Sequence, residues 1–190
     1  VLLRCGFDQR INGAEVFGAL TTVADVKYVW GRNQDDTTYD DRIQTLINII
    51  SGRIEALCNR KFKLATYTDE VYDVPRGKCL FLKQYPVIGT PVVKLNDEII
   101  NASYYKVYND EGYLYSDNGW DYVDDRHREY KVTYQAGYST IPAGLSEICI
   151  EWVIMLLEGR MKDAKVDHSD IVYNPQAFID GLAPFKRIEF

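Results

Sequence analysis

The stretch YKVTYQAGYSTIPAGLSEICIEWVIMLL, residues 130–157, decides the fold of this chain. Apolar and polar residues alternate from Tyr130 to Tyr134, which is the period of a half-buried β-strand. Gly137 tolerates a positive φ, and Pro142 ends the extended segment. Beyond Pro142 the apolar residues recur at helical spacing, at Leu145, Ile148, Cys149, Trp152, Val153, Leu156 and Leu157. The stretch therefore predicts a strand that turns sharply into an amphipathic helix.

Two further helices are predicted in the first third of the chain. Thr22 and Asp25 have the spacing of a helix-capping pair, and Gly31 predicts the end of a short helix. Thr38 and Asp41 repeat the capping spacing in front of a longer helix. The apolar face of this longer helix comprises Ile43, Leu46, Ile47, Ile50, Ile54 and Leu57. We expect the helix that follows the strand of the opening stretch to pack against this face.

The pattern between the second and third helices is that of strands and turns. Residues 71–82, with a turn at 75–78, predict a hairpin, as do residues 92–100 and residues 104–115. Pro86 and Pro91 mark an edge or a crossing point, because proline donates no hydrogen bond to a strand ladder. Tyrosine is frequent in this block, as its ring packs on a half-buried sheet while its hydroxyl reaches water.

The composition is that of a globular protein, with 46% hydrophobic and 26% charged residues. A length of 190 residues suits one domain, or one domain with an insertion. The formal net charge of −6 disfavours a general affinity for nucleic acid phosphates. No apolar run is long enough to cross a bilayer, so no membrane partner is predicted. We interpret the cysteines as buried thiols in a reducing compartment, with a disulfide or a thiol nucleophile as the alternative; they are Cys5, Cys58, Cys79 and Cys149.

Residues with catalytic or metal-binding chemistry form no convincing site in the sequence. His127 and His168 lie in charged segments typical of a protein surface. Paired aspartates at 35–36, 40–41 and 124–125 are adjacent in sequence, and adjacent side chains do not converge on one point. A loop that begins at Asp117 lacks the glycine and glutamate of a calcium-binding EF-hand. The phosphate, dinucleotide and hydrolase motifs are also missing, so no catalytic residue, cofactor or metal is predicted and the chain is not expected to be an enzyme.

Four segments, in order, resemble the head–tail connector (adaptor, or head completion) family of tailed bacteriophages. They are residues 20–27, 40–60, 85–96 and 132–145. The most specific of them is the last, in which Gly-Tyr is followed by Ile-Pro and the start of a helix. This chain differs from the family in its longer tyrosine-rich strand block and its longer tail.

The resemblance implies a structural protein rather than an enzyme. Such proteins form a homo-oligomeric ring, of twelve copies in the virion, beneath the portal protein of the DNA-filled head. The ring extends the DNA channel, through which double-stranded DNA passes without sequence-specific binding, and it provides a platform for a stopper or tail protein. An acidic protein suits such a channel, because it repels the duplex and lets it slide. The implied location is the neck of the virion, and the host cytoplasm during assembly.

The expected fold is α+β, a small helical bundle with an inserted antiparallel β block and an extended C-terminal tail. We assign residues 1–20 to an N-terminal arm, 21–65 and 140–163 to the helical core, 66–139 to the β block and 164–190 to the tail. The tail is our candidate for docking on the portal or on a neighbouring subunit, through Phe178, Ile179, Leu182, Phe185, Lys186, Arg187 and Phe190. The alternative for the tail is that it folds back on its own helices.

Two other functions remain open from the sequence. A tail-terminator or stopper protein also forms rings, but we expect it to lead with strands rather than with two capped helices. A carbohydrate- or surface-binding β module is the reading that the tyrosines favour, since exposed aromatic rings can stack on a ligand.

Overall fold

A helical bundle and two antiparallel sheets form the fold, so the predicted α+β class is confirmed. The computed structural model of the chain describes residues 18–72, 77–120, 129–162 and 176–187. The bundle consists of α1 (Val23–Val29), α2 (Asp40–Cys58) and α3 (Ala143–Lys162).

The first helix begins and ends as predicted. The Thr22 hydroxyl accepts a hydrogen bond from the backbone N–H of Asp25 at 3.2 Å, which satisfies one of the free donors of the first turn. Gly31 follows the helix with φ +70°, the left-handed conformation that glycine adopts without a steric penalty. The ammonium of Lys27 is buried and lies 2.8 Å from Asp40 Oδ1, so an ion pair joins α1 to the start of α2.

The second helix differs from its prediction at both ends. It begins at Asp40, and Thr38 donates to Asp36 in the preceding loop instead of capping the helix, so the predicted Thr38–Asp41 cap is wrong. Leu57 is 37% exposed whereas Cys58 is buried, so the assignment of Leu57 to the buried face is also wrong. At 3.6 residues per turn, the position four residues after Ile54 returns to the core side more closely than the position three residues after it.

The third helix packs on the second, as predicted. Trp152 is 1% exposed, and the Cys149 thiol lies 3.8 Å from the Ser51 hydroxyl of α2. Leu156, predicted as core, is half-buried at the edge of the same cluster. The buried face of α3 comprises Leu145, Cys149, Ile150, Trp152, Val153 and Leu157. The bundle therefore has its own core, closed by the helix that follows the strand block.

The strands form two sheets. The strands are β1 (Ala65–Tyr72), β2 (Cys79–Phe81), β3 (Val87–Leu95), β4 (Glu98–Ile99), β5 (Lys106–Tyr108), β6 (Tyr113–Tyr115) and β7 (Tyr130–Ala136). One sheet has the strand order β1-β7-β3-β4, and the other has the order β2-β6-β5. All pairings are antiparallel among the described strands. A second core lies between these strands and is rich in aromatic side chains, including Tyr72, Tyr105, Trp120, Tyr130 and Tyr134.

Two of the three predicted hairpins are confirmed. β3 pairs with β4 across a turn at Asn96 and Asp97, both with positive φ, and β5 pairs with β6. The hairpin predicted over residues 71–82 is wrong, because β1 pairs with β7 while β2 pairs with β6 in the other sheet. Each of these strands thus takes a partner distant in sequence, which short-range turn signals do not reveal.

Pro91 lies in a bulge of β3. The register between β3 and β7 shifts between Ile88 and Val92, and Gly89 in this interval has φ +73°. The shift takes Pro91 out of the ladder with β7, where its missing N–H would otherwise leave a bond unmade.

The strand-to-helix turn of the opening stretch is fixed to the connection between α2 and β1. Gly137 donates to the Pro86 carbonyl at 2.9 Å, and Tyr138 donates to the Phe62 carbonyl at 2.7 Å. Leu64 in turn donates to the Tyr138 carbonyl at 3.1 Å. The two crossings between the helical core and the strands are therefore hydrogen-bonded side by side.

Candidate interface surfaces

The described part of the tail lies on its own helical core. It forms α4 (Gln176–Gly181) and a 3-10 turn at Ala183–Phe185. Phe178 stacks on Trp152 with ring centroids 5.3 Å apart, and Leu182 is fully buried. Phe185 meets Phe62 edge to face at 6.3 Å. These side chains fold back, as the alternative from the sequence allowed, and the structure does not present Leu182 to a neighbour.

The other predicted docking residues that the structure describes define the side of the tail that faces away from the helical core. Ile179 is half-buried, and Lys186 is exposed while its carbonyl accepts from the Tyr85 hydroxyl at 3.2 Å. The backbone N–H of Arg187 donates to the Cys58 carbonyl at 3.0 Å. Phe190 lies outside the described residues. The docking role of the tail stays a prediction, and the exposed Lys186 and half-buried Arg187 are the described positive charges available to it.

Arg60, which sequence reasoning missed, lies where the bundle, the strands and the tail meet. Its side chain is buried, its guanidinium carbon is 3.6 Å from the centroid of the Tyr85 ring, and the group also faces the Phe62 ring at 5.0 Å. It donates to the Tyr85 carbonyl, while its Nε has no hydrogen-bond partner among the described residues. A desolvated guanidinium between aromatic faces is strongly held, so Arg60 fixes the position of the Tyr85 segment on the bundle. A lone basic residue after a helix was the only sequence signal.

A groove of about 660 Å³ runs between α1 and the start of α3. Its walls are largely apolar, and two side chains at its α1 side are solvent-exposed, Tyr28 at 80% and Val29 at 56%. Every charged residue that lines it is acidic, namely Asp25, Glu147 and Glu151. Sequence reasoning missed the groove, because it depends on the angle at which two helices meet.

The outer face of the four-stranded sheet carries a second exposed apolar patch. Its members are Val71, Ile88, Val92 and Ile99, of which Ile99 is the most exposed at 70%. Two ion pairs flank the patch, Lys94 with Asp69 and Lys131 with Asp97, each at 2.8 Å. A hydrogen bond from Lys94 lowers the pKa of the Asp69 carboxyl, and a hydrogen bond to Asp97 raises the pKa of Lys131, so the pairing favours the ionised form of Asp69 and of Lys131.

The tyrosines of the larger sheet face mainly inward. Tyr134 and Tyr72 both donate to the Glu70 carboxylate, the former at 2.7 Å, and their hydroxyls are 3.0 Å apart. Burial raises the pKa of both hydroxyls, which therefore remain neutral donors. Rings held in this way stabilise the second core and are not available to stack on a sugar.

Reactive chemistry is sparse in the described part of the chain. Burial raises the pKa of the Cys58 and Cys149 thiols to about 11, which suppresses the nucleophilic thiolate. No group of three histidine, cysteine, aspartate or glutamate side chains could hold a metal ion among the described residues, and none of the described helices could span a membrane. His127 and His168 lie outside the described residues.

A comparison with models of protein families identifies the family of this chain. The model for the head completion protein family matches residues 19–155, which include the bundle, both sheets and the turn at Gly137. The chain belongs to the head completion protein family. It is therefore a structural protein of the head–tail connector, and its family is not a family of enzymes.

Solved structures share the fold of this head completion protein. A chain from the neck of an empty gene transfer agent particle, computed with C6 symmetry, has a TM-score of 0.64 at 12% identity over 94% of this chain and 95% of that one. A chain from the native gene transfer agent virion has a TM-score of 0.60 at 12% identity over 96% of both chains. A chain from the native neck, computed with C12 symmetry, has a TM-score of 0.59 at 12% identity over 94% of both chains. No curated protein sequence matches the chain.

Proposed function

We propose that this head completion protein assembles as a closed ring, of twelve copies in the virion, beneath the portal protein in the neck. The observation that carries the proposal is the family match, which spans the helical core and the strand block together. The fold shared with neck chains of gene transfer agent particles, computed with C6 and C12 symmetry, supports a cyclic arrangement. Assembly would begin in the host cytoplasm.

The ring would extend the DNA channel. A chain with a net charge of −6 gives a twelve-copy ring a strongly negative field, which disfavours adhesion of the DNA phosphates to the wall. Double-stranded DNA then slides through without sequence-specific contacts. The side of the ring that faces away from the portal would serve as the platform for a stopper or tail protein.

The tail would supply part of the docking surface toward the portal or a neighbouring subunit. Phe178, Leu182 and Phe185 hold it on the bundle, so the contacts of a partner would come from its outward side, with Lys186 and Arg187. Rim charges of this kind mainly steer and orient a partner.

Co-assembly with the portal tests the proposed ring and the proposed role of the tail. The purified chain would be mixed with the portal protein of the same particle, and complexes would be imaged by negative-stain microscopy and weighed by native mass spectrometry. We expect rings on the portal, and the variant K186E/R187E should keep its fold but lose portal binding or ring formation. A chain that stays monomeric and never joins the portal would contradict the connector function; normal assembly of K186E/R187E would contradict only the role of the tail.

The described structure does not favour the other functions considered. The described part of the chain, from residue 18 on, leads with α1 and α2, whereas we expect a terminator or stopper to lead with strands. The inward-facing Tyr72 and Tyr134 give no support to a carbohydrate-binding sheet.

A further inference from the structure

The groove between α1 and α3 has the properties of a binding site for an extended peptide segment. Its apolar walls include Leu20, Ile141 and Ile150, and its rim carries three carboxylates without any lysine or arginine among its lining residues. An occupant would therefore combine apolar side chains with positive charge.

Within the described residues, Thr21 places an unpaired hydroxyl behind the wall of the groove. Its side chain lines the groove, the residue is 7% exposed, and its hydroxyl has no hydrogen-bond partner among the described residues. Buried hydroxyls are almost always paired, because an unmade bond costs about 1–3 kcal/mol of desolvation. The hydroxyl oxygen itself is covered by protein atoms, so an occupant of the groove would pair with it only after a rotation of the Thr21 side chain.

We propose that residues 1–11 of a neighbouring copy of this chain occupy the groove and link adjacent subunits of the ring, an inference that rests on the proposed ring assembly. This segment is apolar and basic. It contains Val1, Leu2, Leu3, Phe7 and Ile11, with Arg4 and Arg10 against the single acid Asp8. Its apolar side chains match the walls and its arginines match the acidic rim. Arm and groove are two different patches, as the head-to-tail contact of a closed ring requires.

The start of the described chain favours a neighbour over the groove of the same subunit. A Cβ on Gly18 would lie 2.8 Å from Lys63 Cβ, so the chain enters the fold against the α2–β1 connection and then runs along the groove toward α1. An arm filling its own groove would have to reverse at this crowded point. Residues 1–17 reach about 56 Å when extended at about 3.3 Å per residue, which exceeds the diameter of about 40 Å expected for a folded chain of this length.

Complementary charge reversal tests the contact in full-length chains. The groove variant E147K/E151K and the arm variant R4E/R10E should each raise the concentration needed for ring assembly at least tenfold, measured by native mass spectrometry. An equimolar mixture of the two variants should assemble again, because each reversed arm meets a reversed groove and each native arm a native groove. Glu147 and Glu151 are exposed, so the fold should be unaffected, and thermal unfolding would check this. A matched control, E111K/E158K, reverses two exposed acids outside the groove and outside the apolar patch of the larger sheet, and should assemble like the wild type.

The outcomes distinguish a failure of the arm-in-groove contact from a failure of the ring proposal. Assembly of both variants at the wild-type concentration would overturn the arm-in-groove contact while leaving the ring intact. The mixture of variants would fail to assemble, while a chain carrying all four substitutions would assemble, if each arm bound the groove of its own subunit. That pair of results would overturn the exchange of arms between subunits. Variants that form rings but lose the portal would assign the groove to the portal instead. A wild-type chain that never forms rings would contradict the proposed function itself.

Discussion

At the scale of single residues, Gly137 shows how one missing side chain permits the fold. Its φ is +109°, and a Cβ at this position would lie 2.6 Å from the Lys63 carbonyl oxygen, closer than real Cβ atoms approach backbone. We therefore expect G137A to lower the free energy of unfolding by about 3 kcal/mol or more, because it combines backbone strain with a steric clash. Urea denaturation would measure the change.

Gly89 provides a matched control for this substitution. It also has a positive φ, +73°, but a Cβ there would meet nothing within 4 Å. G89A should cost only the backbone strain, about 1–2 kcal/mol. Equal losses in the two variants would show that the close approach to Lys63 is unimportant.

Arg60 should be sensitive even to conservative replacement. R60A removes a buried guanidinium that stacks on Tyr85 and should lower the free energy of unfolding by about 2–4 kcal/mol. R60K keeps the charge but loses the planar stacking, so we expect a loss of about 1–2 kcal/mol. The exposed Arg32, whose guanidinium carbon is 4.3 Å from the Trp30 ring centroid, is the comparison, and R32K should change stability by less than about 0.5 kcal/mol. A tolerated R60K would mean that charge alone suffices at this position.

The thiols should differ in reactivity. With pKa values raised to about 11, Cys58 and Cys149 have a thiolate fraction on the order of one in a thousand at pH 8. Iodoacetamide at that pH should therefore modify the half-buried Cys79 well before them, as peptide mass spectrometry would show. Rapid labelling of Cys149 in the folded chain would contradict the packing of α3 on α2.

At the scale of elements, the tail should behave as a docked unit. L182A removes a fully buried side chain and should cost about 2–5 kcal/mol, with loss of hydrogen-exchange protection first in residues 176–187. The exposed Asp180 in α4 is the control, and D180A should change stability by less than about 0.5 kcal/mol. Unchanged protection of α4 in L182A would mean that the tail is held by other contacts.

The elements also show what the sequence could predict and what it could not. The α2 and α3 stripes were predictable because helical periodicity is local, and Trp152 was correctly assigned to the core. The pairing partner of β1 was not predictable, since the ladder between β1 and β7 joins residues more than fifty positions apart in the sequence. The tail shows a different limit: its apolar residues required burial, but composition does not say which surface covers them. The groove and Arg60 depend on how elements meet in space, which no local pattern encodes.

At the scale of the whole molecule, the two cores and the surfaces between them suit a building block of a ring. The helical core and the aromatic sheet core are joined at Gly137 and Arg60, which fixes one against the other. Exposed apolar patches remain on the α1/α3 groove and on the outer face of the larger sheet. A monomeric protein has little reason to expose two such patches, whereas a ring subunit needs two different contact faces.

The whole molecule is proposed to function as one subunit of a closed ring at the portal. Cryo-electron microscopy of the chain assembled on its portal protein tests it most directly. We predict a closed twelve-copy ring on the channel axis, with each subunit contacting its neighbours through two different faces. A monomer or a twofold dimer that leaves the portal bare would contradict the closed ring.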